Sequence, residues 1–166
     1  MRALFLTLVS MLAVAAVAAE PATLAGKVVS VHDGDTLRVL DAAGTQHKVR
    51  LQGIDSPETK QAFGTKARNR LADLTLGKTV TVRVHGRDRY GRTLGTVEAA
   101  GQDVNRQMVA DGFAWHYVEY SKDAGLARAE RDARAAGRGL WADKAPVAPW
   151  TWRADEKGRK GEPAAR

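Results

Sequence analysis

Residues 24–51, LAGKVVSVHDGDTLRVLDAAGTQHKVRL, decide the fold. Three β-type runs lie inside this stretch: LAGKVVSV (24–31), TLRVL (36–40) and TQHKVRL (45–51). Asp33-Gly34 and Ala43-Gly44 separate them as turn dipeptides, so the runs read as consecutive strands of a meander. Downstream, the period changes across 58–76, where Phe63, Ala67, Leu71 and Leu74 recur at helical spacing and make one apolar stripe. KTVTVRV (78–84) alternates as a strand, residues 92–97 form another, and Asp88 to Gly91 between them has the composition of a hairpin turn. Asp103 is placed to cap a short helix carrying Val104, Met108 and Val109 and ended by Gly112. Ser121 is placed to cap a longer one bearing Leu126, Ala129, Ala133 and Ala136, with Gly137 at its end. Five short strands with interspersed and trailing helices predict an α+β, mainly β chain: a five-stranded OB-fold barrel with three helices.

Outside this body the composition shifts at both ends. Arg2, the apolar run from Ala3 to Val14 and the small residues Ala16-Val17-Ala18 have the three parts of a signal peptide, with cleavage after Ala18 or Ala19. The apolar run is short of the ~20 residues that cross a bilayer. The expected organisation is therefore a signal peptide over 1–19, a barrel domain over 20–152 and a charged, disordered tail over 153–166, which contains no aliphatic residue larger than Ala. The mature protein is expected to be secreted or periplasmic, monomeric and without an integral membrane segment.

No cysteine is present among the 166 residues, which excludes disulfide scaffolds, zinc-thiolate sites, iron–sulfur ligation and thiol nucleophiles. A formal charge of +7 calls for a polyanionic partner: nucleic acid, acidic lipid or acidic polysaccharide. His32, His47, His85 and His116 fall on different segments at no metal-ligand spacing. The Arg-Ala run over 126–138 reads as a solvated helix face, and Trp115, Trp141, Trp150 and Trp152 as packing residues.

Carboxylates gather where strands end: Asp33 and Asp35 in one DGDT turn, Asp55 and Glu58 in the segment DSPE. Oxygen donors at such junctions suit a hard divalent cation such as calcium, although neither segment fits the EF-hand register. Each also has a plainer reading, Asp-Gly as a turn and Ser56-Pro57-Glu58 as a helix start with Ser56 at the N-cap. Arg50, on the strand leading to Asp55, and Arg92, closing the Asp88–Arg92 turn, add guanidinium forks that match phosphate oxygens. A cation, a carboxylate base and two arginines suffice for phosphodiester hydrolysis.

The segments VHDGDTLRV (31–39), VRLQGIDSPE (49–58), DRYGRT (88–93), VNRQMVADGFAW (104–115) and GLW (139–141) together resemble the staphylococcal nuclease, or thermonuclease, family in kind and in order. The resemblance spans residues 24–152 and implies an OB barrel with three helices. It also implies Asp35 and Asp55 as calcium ligands assisted by the main-chain carbonyl of Ser56, Glu58 as general base or water-orienting group, and Arg50 and Arg92 as phosphate clamps. Tyr90 matches a nucleotide-contacting tyrosine, Arg89 a position often basic, and Tyr117 and Tyr120 are both candidates for a further pocket tyrosine. The implied reaction is calcium-dependent hydrolysis of DNA or RNA with little sequence specificity, leaving 3′-phosphates. Between Glu58 and Phe63 the chain is several residues shorter than the family's best-known member, so contacts from that loop are not carried over, and the Trp-rich end has no assigned role there. The alternative from another class is a non-catalytic OB-fold module that binds single-stranded nucleic acid. A membrane-surface or polysaccharide-binding protein would explain the charge but leave the carboxylates idle, and the chain lacks a strongly basic amphipathic helix.

Overall fold

The computed structural model describes residues 22–161; the expected signal peptide and residues 162–166 lie outside that span. Strands β1 (Thr23–Val31), β2 (Thr36–Leu40) and β3 (Gln46–Leu51) form the antiparallel meander. A two-residue strand β4 (Ile54–Asp55) and helix α1 (Gly64–Thr75) follow, then β5 (Thr79–Arg87), which returns antiparallel to β1, and β6 (Thr93–Ala99), its hairpin partner. β6 also pairs in parallel with β3, Val49 opposite Thr93 and Leu51 opposite Gly95, and this contact closes the ring in the order β1-β2-β3-β6-β5. Closure removes the open edges that an isolated meander would expose. The barrel is thus the five-stranded OB type within an α+β chain. β1 serves two partners at once, with Lys27 facing both Leu40 and Thr79, and a register irregularity between Val28 and Ser30 bends it round the barrel.

Strand period decides which residues fill the barrel. In β3, Val49 and Leu51 point inward and are fully buried, so the intervening Arg50 must point to the opposite face. Leu37 and Val39 of β2, Val80 and Val82 of β5 and Val97 of β6 complete the interior, and Ala67 and Leu71 of α1 close one end. Each such Val or Leu contributes about 1.5–3 kcal/mol by leaving water.

Helix α2 (Val104–Ala110) is capped by Asp103, whose side chain accepts from the Arg106 amide, as expected. Asn105 of α2 is buried and sews the helix to the barrel: its side-chain oxygen accepts from the Val97 amide, and Nδ2 donates to the carbonyls of Gln52 and Gly95. A short strand β7 (Gln102–Asp103) lies on β6, and β8 (Trp115–His116) pairs with β4, placing Trp115 opposite Asp55. Helix α3 (Ala124–Ala135) and a 3₁₀ turn (Gly139–Ala142) follow.

Three local expectations are corrected. Helix α1 starts at Gly64, not near Glu58, because the chain from Glu58 makes successive tight turns, Gln61 N donating to Glu58 O and Gly64 N to Gln61 O, and Phe63 is left-handed. Ser56 therefore caps no helix. Helix α3 is capped by Asp123, whose carboxylate accepts from the Leu126 amide, while Ser121 Oγ accepts one turn earlier, from Asp123 N. Finally, residues 153–161 of the charged segment expected to be disordered continue a fourth helix, α4 (Pro149–Gly161), while residues 162–166 of that segment lie outside the described residues. Pro149 suits a first helical position, the Trp152 amide reaches the Ala148 carbonyl, and the aromatic residues at the helix start supply the anchorage that the charged turns lack. Among the described residues, no helix is long and apolar enough to cross a membrane.

Candidate active site

A cavity of about 730 Å³ opens where the DGDT turn, the β3–β4 corner and the β5–β6 hairpin converge. Its floor comes from short-range structure. Asp33 Oδ1 accepts from the Asp35 amide, shaping the turn, and the Asp35 carbonyl accepts from the Leu51 amide, tying that turn to the end of β3. Gly34 is required there by space: a Cβ would lie 2.6 Å from Ser56 Oγ and 2.7 Å from the Ala67 Cβ. Gly64 plays the same part below Glu58, since a Cβ on it would collide with the Glu58 carbonyl.

Arg50 leaves the outer face of β3 and stitches this floor together. Its Nη1 donates to the Leu51 and Ile54 carbonyls, and its Nη2 lies 3.1 Å from Asp35 Oδ2 and 2.9 Å from Asp55 Oδ1. Asp35 Oδ2 also accepts from the Ser56 amide and hydroxyl, and Oδ1 from the Thr36 hydroxyl. Asp35 and Asp55 are 5% and 1% exposed, so their negative charge is held by named donors and not by water. Burial pushes the Asp55 carboxyl above its ordinary value, opposed by the Arg153 hydrogen bonds and the Arg50 charge. Burial, with the neighbouring Asp35 charge, pushes Asp33 up to about 7.

The rim is more open. In the β5–β6 turn, Asp88 Oδ1 accepts from the amides of Tyr90 and Arg92, and Oδ2 accepts from Arg92 Nε at 2.6 Å. Burial would raise the Asp88 carboxyl, but the Arg92 bonds outweigh it and hold the group below its ordinary value. Asp88 engages Arg92 through Nε, and among the described residues no hydrogen bond engages the Arg92 Nη groups. The guanidinium carbons of Arg89 and Arg92 lie 4.9 and 5.7 Å from the centre of the Tyr90 ring, itself 70% exposed. Tyr117 and Tyr120 both line the cavity, edge to face at 4.7 Å. Burial, then the Asp55 charge, raises the Tyr117 hydroxyl above its ordinary value.

Every candidate is therefore brought to one cavity: Asp35, Arg50, Asp55, Ser56 and Glu58 from the floor, Arg89, Tyr90 and Arg92 from the hairpin, Tyr117 and Tyr120 after β8. Sequence reasoning missed two contributors, Asp88 and Arg153, and read Lys157 as part of a solvated tail with at most weak phosphate affinity. Asp88, the first residue of the hairpin turn, was readable as its hydrogen-bonding residue but not as the holder of Arg92. Arg153 and Lys157 of α4 also line the cavity, and Arg153 reaches Asp55 across 98 positions of chain, a separation that leaves no local signal.

Among the described residues, no group of three or more His, Asp or Glu side chains is spaced as a ready-made metal site. The donors nevertheless fit a hard cation in kind: a single guanidinium nitrogen of Arg50 lies within 3.1 Å of both Asp35 and Asp55, which shows that the two carboxylates converge on one positive charge. The chemistry offered is that of two convergent carboxylates, a third beside them, and cationic forks in one partly sealed cavity.

The family model for staphylococcal nuclease homologues matches residues 48–143. The chain is 46% identical over 131 residues to an "uncharacterized endonuclease" of Haemophilus influenzae, spanning 79% of this chain and 74% of that one. It is 47% identical over 133 residues to an "uncharacterized endonuclease" of Escherichia coli O157:H7, spanning 80% and 86%. With a "micrococcal nuclease" of Shigella flexneri it shares 46% identity over 143 residues, 80% and 82% of the two chains.

Proposed function

Since the chain belongs to the staphylococcal nuclease family, we propose that it is a calcium-dependent nuclease that hydrolyses phosphodiester bonds of DNA and/or RNA with little sequence specificity, leaving 3′-phosphates. One observation carries this reading: Asp35, Asp55 and Glu58 share a cavity with Arg50 and Arg92. Asp35 and Asp55 are buried, which costs several kcal/mol per ion unless they are well paired. A surface that only grips a polyanion gains nothing from such groups, so their retention favours hydrolysis over the binding-module alternative.

Arg92 presents its Nη groups to two oxygens of the scissile phosphate, in a plane that a lysine point charge does not reproduce. Arg50 holds Asp35 and Asp55 in place and contributes positive charge beneath the phosphorus. Glu58 orients a water molecule and takes its proton, a contribution of about 10²–10⁴ in rate. Expulsion of the 5′-oxygen then leaves the phosphate on the 3′ side. Calcium, held by Asp35, Asp55 and the Ser56 main-chain carbonyl, would polarise a phosphoryl oxygen and offset charge gathering there. Tyr90, Tyr117 and Tyr120 offer ring faces and edges to bases without reading their sequence, and Arg89 adds affinity for the backbone. A site completed within one chain supports action as a monomer. The leader-like pattern of residues 1–19 supports a secreted or periplasmic location.

The test is digestion of single- and double-stranded DNA and of RNA by the purified protein, with calcium and with excess chelator. Cleavage is expected with calcium and none with chelator; cleavage that survives chelation overturns the metal assignment. Glu58→Gln is expected to lower turnover about 10²–10⁴-fold while binding persists. Near-normal cleavage by that variant removes Glu58 from the chemistry, and binding without cleavage by the parent protein returns the reading to the single-strand binder.

A further inference from the structure

We propose that Arg153 is a positioning residue of this site, clamping Glu58 to Asp55 from a helix outside the barrel; the proposal rests on the hydrolytic reading above. Glu58 stands on the tight turns before α1, and its side chain is 39% exposed. A glutamate in such a place samples several rotamers unless something holds it. Arg153 holds it: Nη1 donates to Glu58 Oε1 at 2.8 Å and to Asp55 Oδ1 at 3.3 Å, and Nη2 donates to Asp55 Oδ2 at 2.8 Å. One rigid planar fork therefore sets the distance between the proton-accepting carboxylate and the buried one beside it.

The same C-terminal segment holds Glu58 a second time, through its backbone. Gln61 Oε1 accepts from the Glu58 amide, and Gln61 Nε2 donates to the Val147 carbonyl at 2.6 Å, just ahead of α4. The helix is anchored in turn by Trp150, which stacks on Tyr117 at 5.2 Å with the rings 7° apart and meets Trp115 edge to face at 5.6 Å. Two ties to Glu58 thus converge on one short stretch, which also stands against the cavity tyrosine. Both Nη groups of Arg153 are spent on carboxylates, so its effect falls on the geometry of the reacting group more than on substrate affinity.

The experiment compares full-length Arg153→Ala and Arg153→Lys with the parent protein. Three quantities are measured: kcat and KM on a single-stranded oligonucleotide with calcium, calcium affinity by calorimetry without substrate, and the Glu58 carboxylate by carbon-detected NMR. Arg153→Ala is expected to lower kcat roughly 10- to 100-fold, the range for residues that orient reactive ligands, with KM near the parent value. Calcium affinity is expected to hold or tighten, because removing a cation from Asp55 does not disfavour another. The Glu58 resonance is expected to shift toward its solvent-averaged position. Lysine should recover little, since one ammonium does not span two carboxylates as the fork does, and added methylguanidinium should restore part of kcat in the alanine variant alone. Unchanged kcat, a rise in KM alone, or calcium affinity lost together with kcat each overturns the proposal. If the alanine variant fails to fold, the lysine variant decides by the same three readouts. Should the parent protein cleave nothing, the hydrolytic reading falls, while an unmoved Glu58 resonance in Arg153→Lys separately disproves the clamp.

Discussion

Asp35 and Asp55, on the cavity floor, are 5% and 1% exposed, whereas Tyr90 and Tyr120 on its rim are 70% and 61% exposed. The floor is built where β3 ends against the DGDT turn and where β4 pairs with β8, and its two buried carboxylates have donors at 2.8–3.3 Å. The rim is built from a hairpin turn and a short connection that owe the barrel little. Charges sealed in the floor are oriented before any ligand arrives, and folding free energy has already met their desolvation. On the rim, Tyr90 and Tyr120 are largely exposed and give up their freedom against a substrate, so they suit loose recognition of varied bases, whereas Arg92 is already held by Asp88. Disturbing the floor should therefore damage stability and chemistry together, and disturbing the exposed rim tyrosines should cost affinity alone.

The largest effect that would break this contrast is expected from Arg50→Ala. It leaves Asp35 without a cationic partner and Asp55 with one fewer, and removal of one member of a buried pair costs about 3–5 kcal/mol. Denaturant unfolding should register that loss and cleavage should vanish; a loss below about 1 kcal/mol, typical of surface pairs, would show that the floor is solvated after all. A smaller effect is expected from Tyr90→Ala, for which oligonucleotide kinetics should show KM rising roughly fivefold, about 1 kcal/mol of lost stacking, with Tm unchanged. A large fall in kcat there would move Tyr90 from rim to floor.

The finest test concerns Asp88, which holds Arg92 on the rim. Its folded value lies below the unfolded 3.8, so it stabilises the hairpin fully above that value, and the contribution is lost as pH falls through the folded one. Carbon-detected NMR should find Asp88 titrating below 3.8 in the parent and close to it in Arg92→Ala. No difference between the two would separate Asp88 from Arg92.

Much of the floor was legible because its parts are local. The DGDT turn, the alternation that turns Arg50 away from Val49 and Leu51, and the step from Arg50 to Asp55 each fall within a few residues. The start of α1 was misread because Ser-Pro-Glu has the composition of a helix cap, while the geometry is set by Gln61 and Gly64 against the Glu58 carbonyl. Residues 153–161 read as disordered since charge dominates their composition, yet Trp150 packing on Trp115 and Tyr117 gives the helix a surface to rest on.

Residue order alone decided the strands, their inward faces and the identity of the carboxylates and forks, since strand period and turn chemistry act over a few residues. Tertiary contact alone decided that β3 and β6 close the ring, that Asp88 restrains Arg92 within the cavity, and that a distant helix delivers Arg153 onto Glu58. Pairings of this second kind depend on where the folded backbone brings remote charges within about 3 Å, the range in which hydrogen bonds form, and no periodicity in the chain encodes that distance.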